Sequence, residues 1–209
     1  MGAIKVPRLE RRPEARPQEL LEAALHVFAE QGYRTARLDD VAVAAGVTKG
    51  AIYHYFDTKE ALLLGVIEHY QALAFGRAED ALRDESAPAA TRIRLMMRKV
   101  FSERETGSGD RLLALLIRGV AHEVPHVHDR WLRNGPARLW TLLGRLVEEG
   151  KQRGEFRRDA DGEVAARVLV SGLMLQLMWQ QHADAVPALA IDYERLIDSS
   201  IELFLASLT

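Results

Sequence analysis

Two short stretches of the sequence hold side chains whose types and spacing have chemistry to offer. The first is Lys49-Gly50-Ala51-Ile52-Tyr53-His54, closed by Phe56 and preceded by Thr48. Read as a helix, it turns Ile52 and Phe56, four residues apart, inward against Val41, Ala45 and Val47. Lys49, Gly50, Tyr53 and His54 are then left on the outer face. A cation, a backbone-exposing glycine, a phenol and an imidazole on one helix suit the major groove of DNA, which admits a helix and offers base edges and phosphates to polar tips. The second stretch, His122-Glu123-Val124-Pro125-His126, matches the H-E-x-x-H pattern of zinc hydrolases on paper, with His128 nearby as a third ligand. That chemistry needs one continuous helix carrying both histidines on one face. Pro125 removes a helical hydrogen bond and clashes with the preceding turn, so a polar turn between helices is the expected reading. No glycine-rich phosphate loop, nucleophile elbow or paired-carboxylate strand supports an enzyme, and none is expected.

The elements that must position these residues are helices. Apolar residues recur at three- and four-residue spacing almost throughout, and strand signals are nearly absent, so the fold class is all-α with about nine helices. The first is expected over 17–31, with Pro17 suited to a first turn and Gly32 to a left-handed cap. Short helices near 38–45 and 49–56 follow, the second capped by Thr48, in the outline of a helix-turn-helix. Asp57 or Thr58 caps a long fourth helix reaching to about Arg83. Further helices are expected at about 89–104, 110–122, 135–152, 161–182 and 192–208, with breaks at Gly107 to Gly109, at a turn containing Pro125, and at Gly154. The domain division predicted is a basic arm over 1–16, the helix-turn-helix over 17–60, and a helical ligand-binding and dimerisation domain over 61–209.

The run Val41-Ala42, Ala45-Gly46-Val47-Thr48-Lys49-Gly50, Ile52-Tyr53, Phe56 and Lys59-Glu60-Ala61-Leu62 resembles the DNA-binding domain of the TetR family of bacterial regulators, over about residues 17–65. The resemblance implies that Thr48, Lys49, Gly50, Ala51, Tyr53 and His54 contact an operator and that Lys59 holds a phosphate at the start of the fourth helix. It also implies a homodimer reading a pseudo-palindromic operator with two recognition helices. One position departs from the family. Thr35-Ala36-Arg37-Leu38 stands where a serine or threonine usually caps the second helix, and Arg37 cannot accept that bond. Arg37 is expected to reach a phosphate, or Thr35 or Asp39 to cap a shifted helix start.

The C-terminal half carries weaker signals. Met96, Met97, Met174, Met178, Trp131, Trp140 and Trp179 all lie there, and with Phe101 and His122 they are the candidates for an adaptable apolar effector pocket. The segment Val168 to Trp179 is apolar almost all round, which predicts burial on two sides. Val168, Gly172, Leu175 and Trp179, with Tyr193, Ile197 and Phe204 of the last helix, are the candidates for a four-helix dimer interface.

Composition narrows the remaining classes. There is no cysteine, which removes disulfides and thiolate chemistry. Residues 1–60 hold nine Lys and Arg against nine Asp and Glu within a chain of net charge −2, an unusual balance for a nucleic-acid binder. Positive charge is instead concentrated at Lys5, Arg8, Arg11, Arg12 and Arg16. No apolar run reaches the roughly 20 residues of a membrane span, and no secretory leader is read at the start, so a cytoplasmic protein is expected. The expected function is a ligand-responsive repressor without a cofactor, released from operator DNA by a small apolar effector. The competing classes are a metal-dependent hydrolase on His122, His126 and His128, and a ligand-independent DNA binder.

Overall fold

The three- and four-residue apolar recurrence becomes helix along the chain, and the computed structural model describes residues 17–101, 108–180, 182–183 and 185–209, with no strand among them. Its helices are α1 (Pro17–Gln31), α2 (Leu38–Ala45), α3 (Lys49–Tyr55), α4 (Lys59–Leu82), α5 (Ala89–Phe101), α6 (Ser108–Glu123), α7 (Pro125–Asn134), α8 (Pro136–Gln152), α9 (Gly162–Gln180) and α10 (Tyr193–Leu208). A 3₁₀ turn, Pro187–Leu189, precedes α10. The basic arm over 1–16, the end of the fifth predicted helix at 102–104, Gly107 and Gln181 lie outside the described residues.

Two compact units divide the chain between His69 and Tyr70, inside α4. The first unit therefore extends past Glu60, where the sequence placed its end. The physical reason sits at Gly65, where a Cβ would meet the Phe56 ring at 2.7 Å and Leu21 at 3.1 Å. The opening turns of α4 thus close the N-terminal core, and Leu62, Leu63, Val66 and Ile67 are buried along with Leu20, Leu25, Phe28, Val41 and Ile52. Between α2 and α3 the chain turns at Gly46, whose φ of 69° is cheap only for glycine. There the Val47 N–H donates to the Ala42 carbonyl at 2.9 Å and the Gly46 N–H to Val43, a Schellman closure that fixes the angle at which α3 leaves.

The second unit buries its core among α5, α8, α9 and α10, where Ile93, Met96, Met97, Leu143, Val170, Leu173, Ile197 and Ile201 are fully enclosed. Glu155 accepts from the Ala89 N–H at 2.6 Å, and Arg153 donates to the carbonyls of Glu85 and Ala87, so the α8–α9 connection clamps the start of α5. The expected turn at Pro125 is instead the start of α7. Proline lacks the N–H that a first helical turn leaves unpaired, so it opens a helix as readily as it ends one.

Candidate nucleic-acid interface

Thr48 caps α3, its Oγ1 accepting from the Ala51 N–H at 3.3 Å. The cap sets the phase of the helix. Ile52 is fully buried, while Lys49, Gly50, Tyr53 and His54 face outward and Ala51 is half-buried. Tyr55 joins the outward face, 43% exposed and edge-on to the His54 ring at 5.0 Å. The sequence reading passed over it. Its signal was the inward Phe56 beside it, which leaves Tyr55 on the flank of the same helix.

Two cations of this face share one carboxylate. Lys49 Nζ lies 3.0 Å from Asp39 Oδ2, and Arg37 Nη2 lies 3.8 Å from the same oxygen. Arg37 does occupy the N-cap of α2, so the helix start is not shifted. The missing hydroxyl is not replaced, but the reciprocal bond of a capping box remains, Asp40 Oδ2 accepting the Arg37 N–H at 3.0 Å. The guanidinium itself is 77% exposed.

Lys59 is held differently from what its expected phosphate role would suggest. Its ammonium donates to the Arg34 carbonyl at 3.2 Å and lies 4.6 Å over the Tyr33 ring. Tyr33 in turn meets Phe28 edge to face at 5.5 Å. Lys59 therefore stitches the start of α4, capped by Thr58 on the Ala61 N–H, to the turn after α1.

In the C-terminal unit the expected effector residues do not form one group. Met96, Met97 and Phe101 belong to the buried core, and Trp140 and Met174 pack against it half-buried. Trp131 and Met178 are half-buried outside that cluster, whereas His122 and Trp179 are exposed. Trp131 instead lends its carbonyl to Gln71 Nε2 at 2.8 Å and its ring to His128. The Trp140 indole N–H is buried without a hydrogen-bond partner, and the Arg167 guanidinium lies 4.8 Å from its ring centroid. The three histidines are split. His122 closes α6, Val124 breaks the helix at φ −143° and ψ 70°, and His126 and His128 stand on α7. No cluster of three His, Asp or Glu able to hold a metal occurs among the described residues.

The expected interface residues separate into two sets. Val168 is 68% exposed, and Leu175, Trp179 and Gly172 are exposed with it. Gly172 has nothing within 4 Å of where a Cβ would stand. Tyr193 and Ile197, by contrast, are spent in the chain's own core, and Tyr193 Oη donates to the Leu173 carbonyl at 3.5 Å. Phe204 is 5% exposed and shows only one edge, to a groove of about 520 Å³ between α9 and α10. The outer apolar residues missed in the sequence are Val164 and Leu203, the latter 74% exposed.

Comparison with known proteins places both units. Residues 20–66 match the profile of bacterial regulatory proteins of the tetR family, and residues 108–207 match the C-terminal domain of AefR-like transcriptional repressors. Together the two stretches cover more than half of the chain. The transcriptional repressor KstR2 of Rhodococcus jostii is 28% identical over 171 residues, 82% of each chain. The fatty acid metabolism regulator of Bacillus subtilis is 28% identical over 155 residues, 72% of this chain and 76% of that protein. Among solved structures, the fatty acid degradation regulator FadR of Bacillus halodurans superposes with a TM-score of 0.75 at 22% identity, covering 93% of this chain and 96% of its own. FadR of Bacillus subtilis, solved in complex with stearoyl-CoA, gives 0.73 at 24% identity over 93% of this chain and all of its own.

Proposed function

As a member of the TetR family of bacterial regulatory proteins, the chain is a ligand-responsive, DNA-binding transcriptional repressor, and we propose that it binds a pseudo-palindromic operator as a homodimer and releases it on binding a long-chain acyl thioester. The family is one of regulators rather than enzymes. The observation that carries the DNA half is the outward face of α3, where Lys49, Tyr53 and His54 project from a helix anchored by Ile52 and phased by the Thr48 cap. Thr48, Gly50 and Ala51 bring backbone and small side chains close to the groove, while Arg37 takes a phosphate beside it and Lys59 fixes the start of α4 to the turn after α1. With its operator in bacterial DNA, the protein works in the cytoplasm, and no described helix is long and apolar enough to cross a membrane.

Three observations support an acyl chain as effector. The regulators similar in fold include one solved with stearoyl-CoA. Within this chain, Met96 and Met97 sit at the centre of the second unit's core, and unbranched thioethers re-pack around a long apolar guest more readily than branched side chains do. Trp140 offers its unpaired indole N–H to an acceptor on the guest, which relieves the cost of a buried orphan donor.

The test begins by selecting bound sequences from random duplex DNA at fixed salt, for the wild type and for a Lys49→Ala, Tyr53→Ala variant. An inverted repeat enriched by the wild type alone is the expected result, and enrichment by neither rejects the DNA reading. Stearoyl-CoA is then titrated into the complex with that repeat. A coupling free energy of about 1 to 3 kcal/mol weakens operator binding by roughly 5- to 150-fold, whereas coenzyme A alone leaves it unchanged. No response to the thioester rejects the effector class and leaves the DNA reading standing.

A further inference from the structure

We propose that Asp39 is a specificity-determining residue of the operator-reading face, a carboxylate that holds Lys49 and Arg37 in place and so suppresses binding to DNA of the wrong sequence. The inference rests on the reading of α3 as the recognition helix. Its basis is the convergence of both cations on Asp39 Oδ2, at 3.0 Å and 3.8 Å, while all three side chains are substantially exposed. The reach-back cap of α2 belongs to its neighbour Asp40, so within the helix Asp39 adds only its charge to the N-terminal turn.

The consequence follows from what each kind of DNA offers. Binding to arbitrary sequence is almost all counterion release, earned when lysines and arginines neutralise phosphates. On this face a phosphate must either pull Lys49 away from Asp39 or accept an anion beside it, and both weaken the contact, whereas Arg37 meets a phosphate in either complex. A cognate site differs, because Lys49 aimed at a base edge keeps its carboxylate partner, and the carboxylate can itself accept from a cytosine amino group. Asp39 therefore costs more in the non-specific complex than in the specific one. It also gives meaning to the even count of acidic and basic residues over 1–60, which is poor design for affinity and good design for discrimination.

The experiment measures affinity for the enriched inverted repeat and for random duplex, across a salt series, for wild type, Asp39→Asn, Asp39→Glu, Lys49→Ala and the Asp39→Asn, Lys49→Ala pair. Glu30→Gln, the same charge change on the exposed face of α1, is the control. Asp39→Asn is expected to tighten random-duplex binding by about 5- to 10-fold and to steepen its salt slope by about one unit, with less change on the repeat. The ratio of the two affinities falls, Asp39→Glu restores it, and the effect shrinks in the Lys49→Ala background. An unchanged ratio in Asp39→Asn, or the same ratio change in Glu30→Gln, overturns the proposal. So does a parallel loss on both DNAs with a lowered melting temperature, which marks Asp39 as merely structural. Failure of the wild type to enrich any repeat overturns the reading of α3 itself and is thereby distinct from failure of the Asp39 proposal.

Discussion

Arg37 and Asp40 keep one half of a capping box and lose the other. A serine at this position accepts the N–H of the third helical residue and points toward a phosphate, whereas here only the reciprocal bond is made, Asp40 accepting the Arg37 N–H, and the Arg37 guanidinium is left exposed. The two roles are therefore separable by mutation. Asp40→Ala removes the cap and lowers the stability of the first unit by about 1 kcal/mol, seen as a lower melting temperature. Arg37→Ala leaves stability nearly unchanged and instead reduces the salt slope of operator binding by about one, as loss of a single phosphate contact requires. Should Arg37→Ala melt early with its salt slope intact, the roles are reversed. The sequence made the missing hydroxyl plain at Arg37. It did not reveal the reach-back, because whether the third residue of a helix meets the first N–H depends on a side-chain rotamer that spacing does not determine.

Helix periodicity located most elements to within a few residues because apolar side chains at three- and four-residue steps must face a core somewhere. It failed at α7, where Val127 is the only buried side chain in the helix and the polar run around it reads as a turn. Glycines inside helices likewise divide only once neighbours are known. Gly76, exposed in α4, has open space where a Cβ would go, so Gly76→Ala stabilises by about 0.5 to 1 kcal/mol through lost freedom of the unfolded chain. At Gly150 the same position is filled by the Phe156 ring and approached by Ala89, so Gly150→Ala destabilises. Thermal melts of the two variants should move in opposite directions. Between α5 and α10, Arg94 donates to both carboxylate oxygens of Glu202, at 2.7 and 2.9 Å, and Arg98 to Asp198. The hydrogen bond from Arg94 holds the Glu202 carboxyl below its ordinary value. A carboxyl depressed in the fold adds stability that is whole above its unfolded value, near 4.5, and is lost as pH falls through the lower folded one. Wild type minus Glu202→Gln should thus show a stability difference at neutral pH that vanishes in acid. The pair is exposed, so the difference stays below about 1 kcal/mol.

For the whole molecule, the unsolved question in the sequence was which way a helix face points. Tyr193, Ile197 and Phe204 recur at the same steps as any interface stripe, and periodicity cannot tell a chain's own core from a partner's surface. Burial decides it. With those three spent internally, what remains outward on α9 and α10 is Val164, Val168, Gly172, Leu175, Trp179 and Leu203, an exposed apolar face of the kind that marks an interaction surface. Two copies brought together by a two-fold axis meet through the same patch, and the open space at Gly172 lets helix backbones approach closely. Under the proposed homodimer, operator affinity depends on this face. Each recognition helix alone binds a half-site weakly, and joining two raises the overall affinity by roughly 10²- to 10⁴-fold. Val168→Glu or Leu203→Arg places a charge in the patch without touching either core, so the variant should sediment as a monomer with unchanged helix content and a wild-type-like response of single half-sites. Its affinity for the full inverted repeat should drop by about that factor. A dimer that survives both substitutions moves the interface elsewhere, and a monomer that still binds the repeat at full strength removes the two-fold from the mechanism.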